Sequence, residues 1–212
     1  MKKYLIFDLD GTLIKSQKVL LELVSNYLKE NFGIENEKSK YFLSSTRGMP
    51  LFEQIKEILG FDEHKAKEIA NNIYKKIENT EKGNFFLGVP AKIKELRKNY
   101  KLFLSTGNST KFAEENLKKG DIFDCFEYIL GSENIGKSIE HIEIFKDYTG
   151  DKDFEKLAVF IGDGEKDRDI AKGVNMDFIH IDEDLKNDFG DQYEIKSVSE
   201  ISDILSLINQ NA

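Results

Sequence analysis

The chain has 212 residues, of which 40% are hydrophobic and 33% charged, and a formal net charge of −8. That is the composition of a soluble globular protein, long enough for a sizeable core and an insertion. The negative balance argues against nucleic-acid and anionic-membrane partners, which need basic patches, and no stretch approaches the ~20 apolar residues of a membrane span.

The first predicted element is a buried strand over Tyr4–Phe7, running into Asp8, Asp10 and a Gly11-Thr12 turn. Lys2 and Lys3 form a basic start, but Asp8 interrupts the apolar run too early for a secretory signal. From about Ser16 to Lys82 apolar residues recur at helical spacing, as in Leu20, Leu21, Val24, Leu28 and then Phe52, Ile55, Ile58, Leu59. A helical insertion after the first strand is expected. Residues 83–90 then carry Gly and Pro turn signals, with Pro90 suited to the first turn of a helix.

Beyond that point, apolar runs at 102–104, 128–130, 157–161 and 178–181 read as strands. Amphipathic stretches at 91–99, 111–118, 139–148 and 167–174 alternate with them, which predicts right-handed crossovers and a parallel sheet. The mixed charges at 35–40 and 151–156 read as solvated loops or helix faces, and residues 199–208 as a closing amphipathic helix. The lone cysteine, Cys125, lies between Phe123 and Phe126, reads as an inert core thiol and fits a reducing cytoplasm.

Four of the strand ends carry chemistry. Asp8 and Asp10 sit at a carboxyl edge, where open α/β sheets place their ligands. Ser105, Thr106, Gly107, Asn108 and Ser109 bring hydroxyls and backbone N–H groups to a helix start, a natural oxyanion site that Ser109 or Asn108 can cap. Lys137, after a glycine-bearing loop, can place a point charge on a phosphate. Asp163 and Asp167 follow another apolar strand, four residues apart across a glycine-containing turn into a helix, and Asp169 reads as helix surface.

These motifs, in this order, resemble those of the haloacid dehalogenase-like hydrolases, a superfamily made up mostly of phosphatases. The resemblance covers residues 4–14 and 86–182 and is weak over the helical insertion. It implies an α/β fold, a Rossmann-like doubly wound parallel sheet formed by residues 1–14 and 84–212, with a small helical cap, residues 15–83, inserted after the first strand. The pattern is most similar to the capped phosphatase branch that includes phosphoglycolate phosphatases and beta-phosphoglucomutases. The dehalogenase branch lacks a carboxylate where this chain has Asp10, and Asn175 stands at a turn position where glycine is common.

The resemblance also implies roles. Asp8 is the nucleophile and Asp10 the general acid and base, which requires Asp10 to hold a proton when substrate arrives. Thr106, with Ser105 as the fallback, joins Gly107, Asn108 and Lys137 in binding the phosphoryl group. Up to four carboxylates in one cleft call for a cation, and an all-oxygen ligand set selects Mg²⁺ over Zn²⁺. By resemblance Mg²⁺ is held by the Asp8 carboxylate, the Asp10 carbonyl and Asp163, with Asp167 as a ligand or just behind one. The expected partner is a small phosphorylated metabolite. In the cap, Arg47 either contacts a second anionic group on the substrate or is a surface arginine at a helix start, and Lys15 departs from the acidic residue many capped relatives carry. The alternatives are a phosphomutase with the same motifs and a non-catalytic relative. His64, His141 and His180 are too scattered for a triad or a zinc site, and His180 reads as a packed edge-strand residue.

Overall fold

The computed structural model describes residues 1–46, 51–78, 85–132, 134–182 and 192–211. In chain order, β1 (Tyr4–Phe7) is followed by the helices α1 (Ser16–Phe32), α2 (Asn36–Ser45), α3 (Leu51–Leu59) and α4 (Glu63–Glu78). Then come α5 (Val89–Leu96), β2 (Lys101–Ser105), α6 (Thr110–Lys119), β3 (Phe126–Leu130), α7 (Ile139–Thr149) and α8 (Phe154–Leu157). The chain continues through β4 (Ala158–Gly162), α9 (Glu165–Gly173), β5 (Asp177–Ile181), β6 (Glu194–Ile195) and α10 (Ile201–Asn211). Contacts divide it into two compact units, Met1–Lys15 with Lys82–Ala212, and Ser16–Glu81.

The first unit is a parallel sheet of six strands in the order β3-β2-β1-β4-β5-β6. Side chains alternate across a strand, so each central strand feeds two cores. Leu5 and Phe7, Leu102 and Leu104, Val159 and Ile161, and Ile179 and Ile181 point into one. There they meet Val89 and Ile93 of α5, Ala113 and Leu117 of α6, and Ile201 and Leu205 of α10. Tyr4 and Ile6, Phe103, Phe160 and Phe178 point the other way, onto Ile142 and Phe145 of α7, Phe154 of α8 and Ile170 of α9. Helices on both faces make the sheet doubly wound, as the resemblance implies, and its strands are parallel, as the alternating pattern predicts. Order runs outward from β1 through β2 and β3 on one side and through β4, β5 and β6 on the other. The switch point, where such sheets open a crevice at the strand carboxyl ends, therefore lies between β1 and β4.

The second unit is helical and has its own core, built from Val24 and Leu28 of α1, Leu43 of α2, Leu51 and Ile55 of α3, and Ala66, Ile69 and Ile73 of α4. The buried Gln54 amide ties α3 to the end of α2 by donating to the carbonyls of Leu43 (3.2 Å) and Thr46 (2.9 Å). Among the described residues no helix is long and apolar enough to cross a membrane.

Several boundaries differ from the sequence expectation. Leu157 closes the short helix α8 and β4 begins at Ala158, while β3 starts at Phe126 rather than Tyr128. α9 starts at Glu165, two residues before Asp167. His180 is not at an edge: β5 is covered by β6, and the His180 N–H donates to Tyr193 O at 2.9 Å. A two-residue strand carries too little hydrophobic pattern to be read without its partner. Cys125 is half-buried and packs at the periphery of the core, and burial pushes its thiol up.

Candidate active site

The loop after β1 is shaped by its own backbone. Asp8 N–H donates to Ile161 O (2.9 Å), holding the loop against β4, and Leu13 and Ile14 both donate back to Leu9 O at 2.9 Å. Gly11 turns the chain at φ +84°, a conformation that favours glycine, and a Cβ there would lie 2.2 Å from Asp163 Oδ2. The first motif thus touches the last across a position with no room for a side chain. At Gly162 a Cβ would come within 2.5 Å of Asp167 Oδ2, so the second carboxylate also lies against bare backbone.

Asp8, Asp163 and Asp167 each present a carboxylate oxygen within 4.8 Å of the others. Asp8 and Asp167 are buried, as is Lys137. The Lys137 ammonium donates to Asp8 Oδ1 at 2.5 Å and pairs with Asp167 Oδ1. The other Asp167 oxygen accepts from Gly164 N–H (3.2 Å) at the start of α9. Burial pushes the Asp8 carboxyl well above its usual range. Lys137 opposes that shift, while Asp167, Asp163 and Asp10 add to it. For Lys137, burial disfavours the charge, but Asp8 and Asp167 outweigh it and hold the ammonium above its ordinary value.

On the other side of Asp8, Asp10 Oδ2 accepts from Asn108 Nδ2 at 2.5 Å and lies 3.5 Å from Thr106 Oγ1, which accepts from Asn108 N–H (3.1 Å). Ser109 rather than Asn108 caps α6, accepting from Phe112 N–H (3.2 Å). Ser105 and Thr106 point to opposite sides, as neighbours on a strand end do. The Ser105 hydroxyl is buried and taken by His141 Nδ1 at 2.9 Å, so Thr106, not Ser105, faces Asp10. Gly107 is exposed, with open space where a Cβ would stand. Asp169 is exposed on α9, whereas Arg47 lies outside the described residues.

The three-carboxylate group offers only oxygen donors, two of them on buried residues, and a single ammonium inside it. A small hard divalent cation such as Mg²⁺ fits that donor set and would oppose both the burial that raises Asp8 and the neighbouring carboxylates that add to it. The sequence reading missed two groups. Ser132 Oγ donates to Thr106 O (2.8 Å) and accepts from Lys137 N–H (2.9 Å). His141 lies beneath Ser105. Neither stands out in the sequence, because each matters through a partner at the end of β2, 26 and 36 residues away in the chain.

A family model described as haloacid dehalogenase-like hydrolase matches residues 5–181. A candidate pyrophosphatase, PpaX, from Clostridium perfringens is 28% identical over 137 residues, covering 63% of this chain and 61% of that protein. The chain thus aligns with somewhat less than two thirds of that relative's length. The crystal structure of a candidate phosphatase from Clostridium difficile superposes with a TM-score of 0.76 at 28% identity, over 96% of this chain and 98% of that one. A candidate beta-phosphoglucomutase from Thermotoga maritima shares the fold, with a TM-score of 0.78 at 18% identity over 97% of this chain and 99% of that one.

Proposed function

The chain belongs to the haloacid dehalogenase-like hydrolases, and from that premise we propose that it is a Mg²⁺-dependent phosphatase acting on a small phosphorylated metabolite. The observation that carries this reading is the buried cluster at the switch point, in which Lys137 bridges Asp8 and Asp167, with Asp163 alongside.

In this reading an Asp8 carboxylate oxygen attacks the phosphorus of a phosphate monoester. The ester P–O bond breaks and an aspartyl-phosphate forms. Asp10, held in place by Asn108, gives its proton to the leaving alkoxide and then takes one from the water that attacks the intermediate. Inorganic phosphate leaves and Asp8 is regenerated. Lys137 and the Thr106 hydroxyl offset the charge on the phosphoryl oxygens as they move. Mg²⁺ would be held by Asp8, Asp163, Asp167 and the Asp10 carbonyl, and when bound it supplies positive charge that keeps Asp8 ionised and screens the phosphate from the carboxylates. The helical unit Ser16–Glu81 acts as the cap, with Arg47 reading a second anionic group on the substrate. A cytoplasmic setting belongs to the same proposal, supported by the lone thiol of Cys125.

The test is phosphate release from a panel of phosphorylated metabolites, with and without Mg²⁺, for wild type and Asp8→Asn. Inorganic pyrophosphate belongs on the panel because the Clostridium perfringens relative carries that activity in its name. Turnover of at least one compound is expected, lost on chelation and reduced about 10³-fold or more in Asp8→Asn. A folded wild type that releases phosphate from none of them overturns the phosphatase reading. Activation by a bisphosphate would then point to a phosphomutase.

A further inference from the structure

Thr106 and Lys137 reach the site from different strand ends, so both can act on one phosphoryl group only if the loop between β3 and α7 is held against the end of β2. Ser132 makes one such tie, through Thr106 O and the Lys137 N–H. A second tie runs through His141, on the first turn of α7 and fully buried. Its Nε2 lies 3.2 Å from the carbonyl of Ile135, two residues before Lys137, and its Nδ1 lies 2.9 Å from Ser105 Oγ, next to Thr106.

The partners assign the protons. A carbonyl only accepts, so Nε2 carries the hydrogen and Nδ1 is the bare nitrogen. The Ser105 hydroxyl, whose own hydrogen is free to turn, then donates to Nδ1. The neutral ring is thus one link in a directed chain, Ser105 O–H to Nδ1 and Nε2–H to Ile135 O. A protonated ring would leave Ser105 able only to accept. Burial, the first influence on the ring, disfavours that protonated form. The Ile135 carbonyl favours it, and of the charged groups facing the ring, Lys137 and Lys166 disfavour it while Glu140 favours it.

We propose that His141 is a positioning residue for Lys137: by joining Ser105 to the Ile135 carbonyl it fixes the loop that delivers the Lys137 ammonium beside Asp8. The hydrogen-bond partners of the His141 ring are Ser105 and Ile135, neither of which is among the proposed metal ligands. His141 acts by registering two strand ends, and small misplacements of a charge-bearing group carry large penalties in such sites. The inference rests on the phosphate-handling role of Lys137, and its test is chosen to separate the two.

Inorganic phosphate is titrated calorimetrically, with Mg²⁺ present, into wild type, His141→Ala, His141→Gln, Ser105→Ala, Lys137→Ala and the His141→Ala/Lys137→Ala double variant. All are checked for folding by circular dichroism at the titration temperature. His141→Ala is expected to weaken phosphate about tenfold. His141→Gln, which keeps a donor for Ile135 and most of the volume, is expected to recover most of that loss. Ser105→Ala, a small change that guards against misfolding of His141→Ala, should weaken phosphate several-fold. The double variant should bind no more weakly than Lys137→Ala alone, because a residue that acts through Lys137 has nothing left to position.

Folded His141→Ala and Ser105→Ala that bind phosphate within twofold of wild type overturn the inference, as do losses that simply add in the double variant. A wild type that turns over phosphate esters while the His141 variants are unaffected leaves the phosphatase reading standing without this device. A wild type that turns nothing over but shows the coupling leaves His141 in its role and removes the phosphatase. Failure of wild type to bind phosphate at all overturns the inference, while ester turnover alone decides the phosphatase reading.

Discussion

Lys137 is the residue on which the charge balance of the site turns. Its side chain is 8% exposed, and its ammonium lies between the carboxylates of two side chains that are 6% and 4% exposed. Breaking such a group by removing its cation leaves buried like charges facing one another, which typically costs about 3–5 kcal/mol. Lys137→Ala in EDTA is expected to lose stability on that scale in urea denaturation followed by circular dichroism. A midpoint within error of wild type would mean that the carboxylates do not depend on the lysine. The sequence singled out Lys137 only through its place among the other motifs and the resemblance they carry, since a lysine after a glycine-bearing loop has by itself no local mark that sets it apart from the other basic residues. What sets it apart is three-dimensional, since its partners Asp8 and Asp167 are 129 residues before and 30 residues after it. Asp8 and Asp163 were more legible, because an apolar run ending in a carboxylate is itself a local pattern.

At the scale of elements, the site is a set of strand ends and helix starts whose local rules were readable. Pro90 occupies the first turn of α5, Ser109 caps α6, and Asn175 adopts the left-handed conformation (φ +56°) expected where it stands in for glycine. Each follows from backbone chemistry within a few residues. Asp167 shows one residue serving two levels, with one oxygen on the α9 N-terminus and the other against Lys137. Because Ser109 supplies the cap for the helix that begins beside Thr106 and Asn108, Ser109→Ala is expected to cost about 1 kcal/mol. The check is the shift in urea midpoint at unchanged slope, and a shift below about 0.3 kcal/mol would show that the Phe112 N–H finds another partner. The elements that escaped the sequence are the short ones, α8 and β6, which exist through packing of Phe154 and pairing with β5.

At the scale of the molecule, the sheet alternates its side chains between two cores, and the polar strand ends inherit that alternation. Ser105 follows Phe103 toward the α7 face and so meets His141, while Thr106 turns the other way toward Asp10. Burying a neutral imidazole ties global stability to pH. The folded pKa of His141 lies below the ordinary 6.5, so the unfolded chain takes up this proton first. The contribution of the neutral ring is therefore fully present above pH 6.5 and is lost as pH falls through the folded value. The expected result is a melting temperature that drops on acidification from pH 7.5 to 5, with a shallower drop in His141→Gln. Parallel curves for the two proteins would show that the ring does not titrate on unfolding.

The amino-acid sequence by itself determined the alternation of strands and helices, the parallel sheet that this alternation requires, and the candidate carboxylates at strand ends. These rest on periodicity and on local backbone preferences that operate within a few residues. Only the tertiary structure decided which hydroxyl of Ser105 and Thr106 faces Asp10, that Asn108 holds Asp10, that Ser132 and His141 tie the Lys137 loop to β2, and that β6 covers His180. Each of those depends on where one strand end stands relative to another. That placement is fixed by strand order and by which face a residue inherits, and neither quantity exists until the sheet has formed.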